Sequence, residues 1–165
     1  MHGWINTRAG IGAVLIASAS AAACGMPRDA DHTLDRVRGH ELRIGVTDHP
    51  PWVELHGEVV SGVEPSLVSE LARGLGSRTT FRRGSESDLL EALRRGQLDL
   101  VAAGLDDTSP WKGRVALTRP YYADSATGKK HVLALRAGEN AWLVHVETYL
   151  ATHPAGAALG ETAER

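Results

Sequence analysis

Residues 96–105 read Gly96-Gln97-Leu98-Asp99-Leu100-Val101-Ala102-Ala103-Gly104-Leu105. From Leu98 to Ala103 the run is almost continuously apolar, short and bounded by glycines. A strand covered on both faces has this composition, and such strands belong to sheets with helices above and below. Just upstream, Ser85 stands three residues before Asp88 as in a capping box, with Leu89, Leu90 and Leu93 as an apolar stripe behind it. Arg94 and Arg95 fall in the last turn, where they favour the helix dipole, and Gly96 ends the helix. Further upstream, Leu42-Arg43-Ile44-Gly45-Val46 alternates and breaks at Asp48-His49-Pro50-Pro51, a strand feeding a loop. Gly57 and Gly62 bracket a hairpin-like excursion around Val59-Val60. Pro65 then opens a helix whose Leu67, Leu71 and Leu75 recur every four residues, until Gly74 or Gly76 ends it. Thr79-Thr80-Phe81 is β-prone, as are Val115-Ala116-Leu117 and His131-Val132-Leu133-Ala134-Leu135. A last helix spans about Asn140 to Ala151, with Trp142, Val146, Tyr149 and Leu150 on one face. Strands alternating with helices predict an α/β fold, a single open, mostly parallel sheet flanked by helices.

Composition narrows the function. The 165 residues hold 18 Lys and Arg against 20 Asp and Glu, a formal net charge of −2 with no basic stripe, so no nucleic-acid partner is expected. A single cysteine excludes an intramolecular disulfide and a cysteine-cluster zinc site. His40, His49, His56, His131, His145 and His153 are scattered without metal-ligand spacing, so no metal or other cofactor is expected. Gly128-Lys129-Lys130 lacks the upstream glycine of a phosphate loop.

The amino terminus carries an address. Arg8 is the only charged side chain before an uncharged run from Ala9 to Ala23, which ends Ala21-Ala22-Ala23-Cys24. A basic start, a short apolar stretch and small residues before a cleavage point describe an export signal, and the run falls short of the ~20 apolar residues of a membrane span. Cys24 directly after the small residues resembles a bacterial lipoprotein signal, with Ala21 where leucine is usual. Plain cleavage after Ala23 and an uncleaved anchor are the other readings. The expected organisation is a lipoprotein-type signal peptide over 1–23, a polar tether over 24–40, the α/β lobe over 41–153 and a flexible tail over 154–165. The expected location is the periplasmic or extracytoplasmic face of a bacterial membrane, held there by lipid.

Three stretches together resemble the amino-terminal lobe of the family-3 extracellular solute-binding proteins, receptors of polar amino-acid importers. They are Leu42 to Val46 followed by Asp48, Pro50-Pro51 and Trp52; Gly62-Val63-Glu64-Pro65-Ser66-Leu67; and Gly96 to Leu105 followed by Thr118-Arg119-Pro120-Tyr121-Tyr122. They occur in family order across about 80 residues. The resemblance implies a clamshell whose chain leaves after the Tyr-Tyr to build a second lobe. Here only Ala123 to Lys130 separate Tyr122 from the next strand, so this chain reads as the first lobe with the second missing.

The resemblance implies a site at the carboxyl ends of the strands: Asp48 and Trp52 after the first, then Gly104, Asp106 and Thr108 after the buried one, with Tyr121 or Tyr122 rimming it. Amino-acid receptors of this kind grip the ligand carboxylate with an arginine a few residues further on; here that position is Trp111, with Lys112 beside it. Trp52 reads either as a ligand contact or as packing over the Pro-Pro turn. Trp111, in a polar loop, reads as a ligand or partner contact, and Asp106-Asp107 as an acidic rim or a solvated cap. Trp142 reads as core. An acidic, aromatic site favours a cationic or neutral polar solute over ordinary α-amino acids. No catalytic set is visible, and an enzyme is not expected. The implied function is a substrate-binding component or sensor associated with a membrane transporter, binding weakly unless a second copy of the chain, as a homodimer, or another partner completes the cleft. The alternative is a lobe that docks a membrane partner without holding a solute.

Overall fold

The computed structural model describes residues 29–153 and 155. The signal peptide, Cys24 and, Ala155 apart, the tail lie outside the described residues. The strands are β1 (Glu41–Val46), β2 (Glu54–His56), β3 (Val59–Ser61), β4 (Arg78–Arg83), β5 (Leu100–Ala102), β6 (Ala116–Leu117), β7 (Tyr122–Ala123), β8 (Lys130–His131) and β9 (Ala134–Leu135). The helices are α1 (Thr33–Val37), α2 (Val63–Gly74), α3 (Glu86–Arg94) and α4 (Asn140–Thr152).

Five strands form the main sheet in the order β4-β1-β5-β9-β6. β1 lies parallel between β4 and β5, with Ile44 opposite both Phe81 and Leu100. β9 runs antiparallel to β5 and to β6. β9 returns from a hairpin without a crossover helix, and an antiparallel neighbour needs none. The strand expected over His131 to Leu135 is divided. His131 pairs with Tyr122 in the β7–β8 hairpin, whereas Ala134 and Leu135 join the main sheet.

Alternation along β5 sends its side chains to two cores. Leu100 and Ala102 join Leu42, Ile44 and Val46 under α2 and α4, while Val101 packs with Leu89, Leu90 and Leu93 of α3. On the α3 side the sheet leaves no room at Gly45, where an added Cβ would stand 2.8 Å from Leu98 Cδ1. Ser85 caps α3 as its spacing predicts, accepting from the Asp88 amide at 3.2 Å and donating to its carboxylate at 2.7 Å. Trp142, Val146 and Leu150 bury one face of α4, and the Trp142 indole donates to the Asp99 carbonyl at 2.9 Å, tying helix to sheet.

The tether expected over 24–40 is, in its described part, folded. Val37 is fully buried, and Glu139 accepts from the amides of Asp31 (2.8 Å) and Thr33 (3.2 Å) at the start of α1. Asp29 accepts from the Leu34 amide at 2.7 Å. Five residues make no stable helix alone; here the Thr33 amide of the first turn is satisfied by Glu139, the residue before α4, and the Leu34 amide by Asp29. At the other end, Ala155 is buried in the core, so the contacts of the lobe extend past 153.

Where a two-lobed chain would depart, residues 122–131 close on themselves. Ala123 pairs with Lys130, and Asp124 braces the turn by accepting from the Ala126 amide (2.8 Å) and the Thr127 hydroxyl (2.5 Å).

Candidate functional site at the carboxyl ends of β1 and β5

The loop after β1 is pinned against the start of α2. His49 and Val53 exchange backbone hydrogen bonds, and the carbonyls of Pro51 and Trp52 accept from the first amides of the helix, Val63 (3.3 Å) and Glu64 (3.0 Å). Gly62 makes this approach with φ of 109°, where a Cβ would lie 2.7 Å from the Trp52 carbonyl oxygen. Trp52 is thereby held in one orientation, stacked on His131 with centroids 3.7 Å apart, edge-on to Tyr121 at 6.2 Å and tilted against Tyr122 at 5.2 Å. It is 6 % exposed. The hairpin histidine lies against its face.

Beneath this aromatic group lies Glu64, fully buried. One carboxylate oxygen accepts from the Gly104 amide at 2.9 Å and the other from the Tyr121 hydroxyl at 2.5 Å. Burial pushes the Glu64 carboxyl up to about 7 against those two hydrogen bonds, which favour the charge. Burial, reinforced by the carboxylate, also holds the Tyr121 phenol well above its ordinary value. Gly104 adopts φ of 63°, and a Cβ there would stand 2.7 Å from the His49 ring nitrogen Nδ1. Glycine is needed at this position for conformation and for room.

Asp106 folds back on its own loop. One oxygen accepts from the Thr108 amide (2.9 Å) and hydroxyl, and the other stands 3.8 Å from the Lys129 ammonium. The Thr108 hydroxyl, with Lys129 in support, holds the Asp106 carboxyl below its ordinary value. His131 is 3 % exposed and its Nδ1 has no hydrogen-bond partner among the described residues. Burial, with His49 nearby, holds its imidazole below the ordinary histidine value.

Trp52, Asp106 and Tyr121 therefore meet around His131, Gly104 joins them through Glu64 and His49, and Thr108 serves Asp106. Asp48 is displaced from the group; it accepts from the Leu55 amide at 3.0 Å and fixes the turn into β2. Trp111 does not stand free in its loop. It is half-buried against the α3-side core, and the Arg114 guanidinium lies 5.5 Å over its ring. The cation facing this tryptophan is the protein's own. Glu64, His49, His131 and Lys129 complete the group without having been marked as site residues by sequence pattern. A visible signal was Glu64 itself, an acid between Val63 and Pro65 at the apolar start of a helix, with no basic residue within four positions.

Among the described residues, no group of three or more His, Cys, Asp or Glu is placed to hold a metal ion, and no helix is long and apolar enough to cross a membrane.

The fold defines a single lobe of the periplasmic-binding-protein kind, with a mixed sheet flanked by helices. Residues 42–158 match the family model of the bacterial extracellular solute-binding proteins, family 3. The chain belongs to that family. Among solved structures it is similar to the arginine-bound form of domain 1 from TmArgBP, with a TM-score of 0.64 and 24% identity over 71% of this chain and 95% of that one. It is likewise similar to an ancestral cationic amino acid solute-binding protein, with a TM-score of 0.65 and 15% identity over 80% of this chain and 98% of that one. A curated relative from Idiomarina loihiensis, membrane-bound lytic murein transglycosylase F, is 31% identical over 111 residues, 66% of this chain. The matched part amounts to 24% of the length of that relative.

Proposed function

We propose that this protein is an exported solute-binding lipoprotein, anchored through Cys24 at the extracytoplasmic face of a bacterial membrane. There it serves a membrane transporter as a binding component or sensor for a cationic or neutral polar solute. The observation that carries this reading is the convergence of Trp52, Gly104, Asp106 and Tyr121 at the carboxyl ends of β1 and β5, where open α/β sheets receive ligands. The neighbour that is an arginine-bound domain 1 supports a lone lobe as a binding unit. Affinity is weak, because one lobe leaves a side of the ligand in water whereas good pockets bury ~70–90% of it. A partner or a second copy completes the cleft. No reaction is assigned: Glu64, the acid tuned nearest neutrality, has both oxygens engaged inside the lobe. The test is calorimetry of the protein with arginine, putrescine, glycine betaine and glutamate. Binding of the first three weaker than about 0.1 mM, roughly −5.5 kcal/mol, agrees with it. Glutamate as the tightest ligand contradicts it.

A second reading has its own observation, the match to a protein named as a membrane-bound transglycosylase. In that reading the lobe docks a membrane partner and holds no solute. Cross-linking in native membranes that captures one partner, together with silent calorimetry for all four solutes, would favour it.

A further inference from the structure

At the opposite end of the sheet from the cleft, a cavity of about 320 Å³ opens where α1, the start of β1 and the turn after α3 meet. Its charged lining is Arg36, Arg43, Arg95 and Arg136 against Asp31 and Asp99. Part of this is structural. Asp99, almost fully buried, takes Arg36 on one oxygen and Arg43 on both, and Arg43 also donates to the Gly96 carbonyl at 3.0 Å. That network knits α1 and β1 to the turn before β5. Arg136 pairs with Asp31.

Arg95 is left over. Among the described residues its one partner is Glu91 at 3.4 Å, and Glu91 is already gripped on both oxygens by Arg94 at 2.9 and 2.7 Å. The cavity thus holds four guanidiniums to two carboxylates, with the Arg95 side chain 54% exposed beside it. Guanidinium groups bind phosphate oxygens through paired charge-assisted hydrogen bonds.

We propose that this cavity binds the phosphate group of an anionic ester, and that the ester is the headgroup of an anionic membrane lipid. The choice of source comes from the path of the chain. The described structure begins at Asp29, two residues before the cavity residue Asp31. Cys24 precedes Asp29 by five residues, a span of at most about 18 Å. A chain anchored at Cys24 therefore keeps Asp29, and with it this face of the lobe, within about 18 Å of the bilayer surface. The phosphate site itself stands apart from the solute reading and from the lipid anchor.

The test follows backbone amide resonances of the ¹⁵N-labelled full chain during titration with inorganic phosphate at constant ionic strength. It is repeated with vesicles of phosphatidylcholine with and without phosphatidylglycerol. The expected result is saturable shifts at Asp31, Gly96 and Asp99 with phosphate, and competition by phosphatidylglycerol vesicles alone. Arg95→Gln should weaken phosphate about tenfold, with partial recovery in Arg95→Lys. Phosphate shifts without vesicle competition uphold the anion site and overturn the lipid source. Absent shifts in the wild-type chain, or shifts unchanged in Arg95→Gln, overturn the site.

Discussion

The Tyr121 hydroxyl donates to Glu64 at 2.5 Å and so fastens the strand that leads into the hairpin to the buried start of α2. The same carboxylate holds the Gly104 amide, so a single ionisable group braces two of the loops that form the cleft. Its protonation is coupled to the stability of the lobe.

Glu64 is pushed up to about 7 by burial, and an acid with a raised folded-state value stabilises the protein below its unfolded value and loses that contribution as pH rises through the folded one. Stability carried by Glu64 should be fully present below about pH 4.5 and fall by about 3 kcal/mol as pH rises past 7. Glu64→Gln should flatten the fall of the denaturation midpoint between about pH 4.5 and 7. An unaltered fall in that variant would show that Glu64 does not titrate in this range.

His131 acts in the opposite sense. Its folded-state value is lowered, chiefly by burial and then by His49, against the opposing pull of Asp106, so its neutral form is the stabilising one and stability falls as pH drops through that lowered value. The two contributions therefore change with pH in opposite senses and offset each other where they overlap. Trp52→Leu uncovers the imidazole and should move its titration, followed by ring-proton NMR, up toward the ordinary histidine value. A midpoint unchanged in Trp52→Leu would detach the shift from the stack.

Glu139 is the fastening of the amino-terminal segment. Glu139→Ala leaves the amides of Asp31 and Thr33 without partners, at a cost of about 1–3 kcal/mol where such groups stay buried. Hydrogen exchange should accelerate at residues 31–37 while β1 and β5 keep their protection. Loss of protection throughout would mean that α1 is integral to the cooperative unit.

How much of this was legible depended on how far apart the partners lie. β5, the Ser85 cap and the Trp142 face are written in spacings of two to four residues, and each formed as its pattern predicts. The folding of residues 29–40 was invisible because the acid that caps α1 comes from more than 100 positions away, and a polar stretch without periodicity reads as a tether. Trp52 stayed open between two readings because its stacking neighbour, His131, arrives by way of the hairpin. Asp106, Gly104 and Tyr121 come into view only through family order, and what ties Gly104 to Tyr121, Glu64, is an acid whose motif is readable without its role.

The cation preference proposed for the site turns on Asp106. One of its oxygens is consumed by Thr108, while the other faces Lys129 at 3.8 Å, a loose pair with the ammonium side chain 55% exposed. Exposed pairs of this kind contribute ~0.2–1 kcal/mol, so a ligand cation displaces Lys129 at small cost and inherits the carboxylate. Trp111 offers no help, since Arg114 already lies over its ring. Lys129→Gln should therefore strengthen putrescine and arginine binding by about two- to fivefold, and Asp106→Asn should weaken both by a similar factor. Glutamate should respond the other way, improving slightly in Asp106→Asn. Calorimetry of the three proteins with the three ligands checks this directly. Cation affinities that ignore both substitutions would place the solute elsewhere on the lobe. Glutamate binding that is lost in Lys129→Gln would reverse the sign of the site.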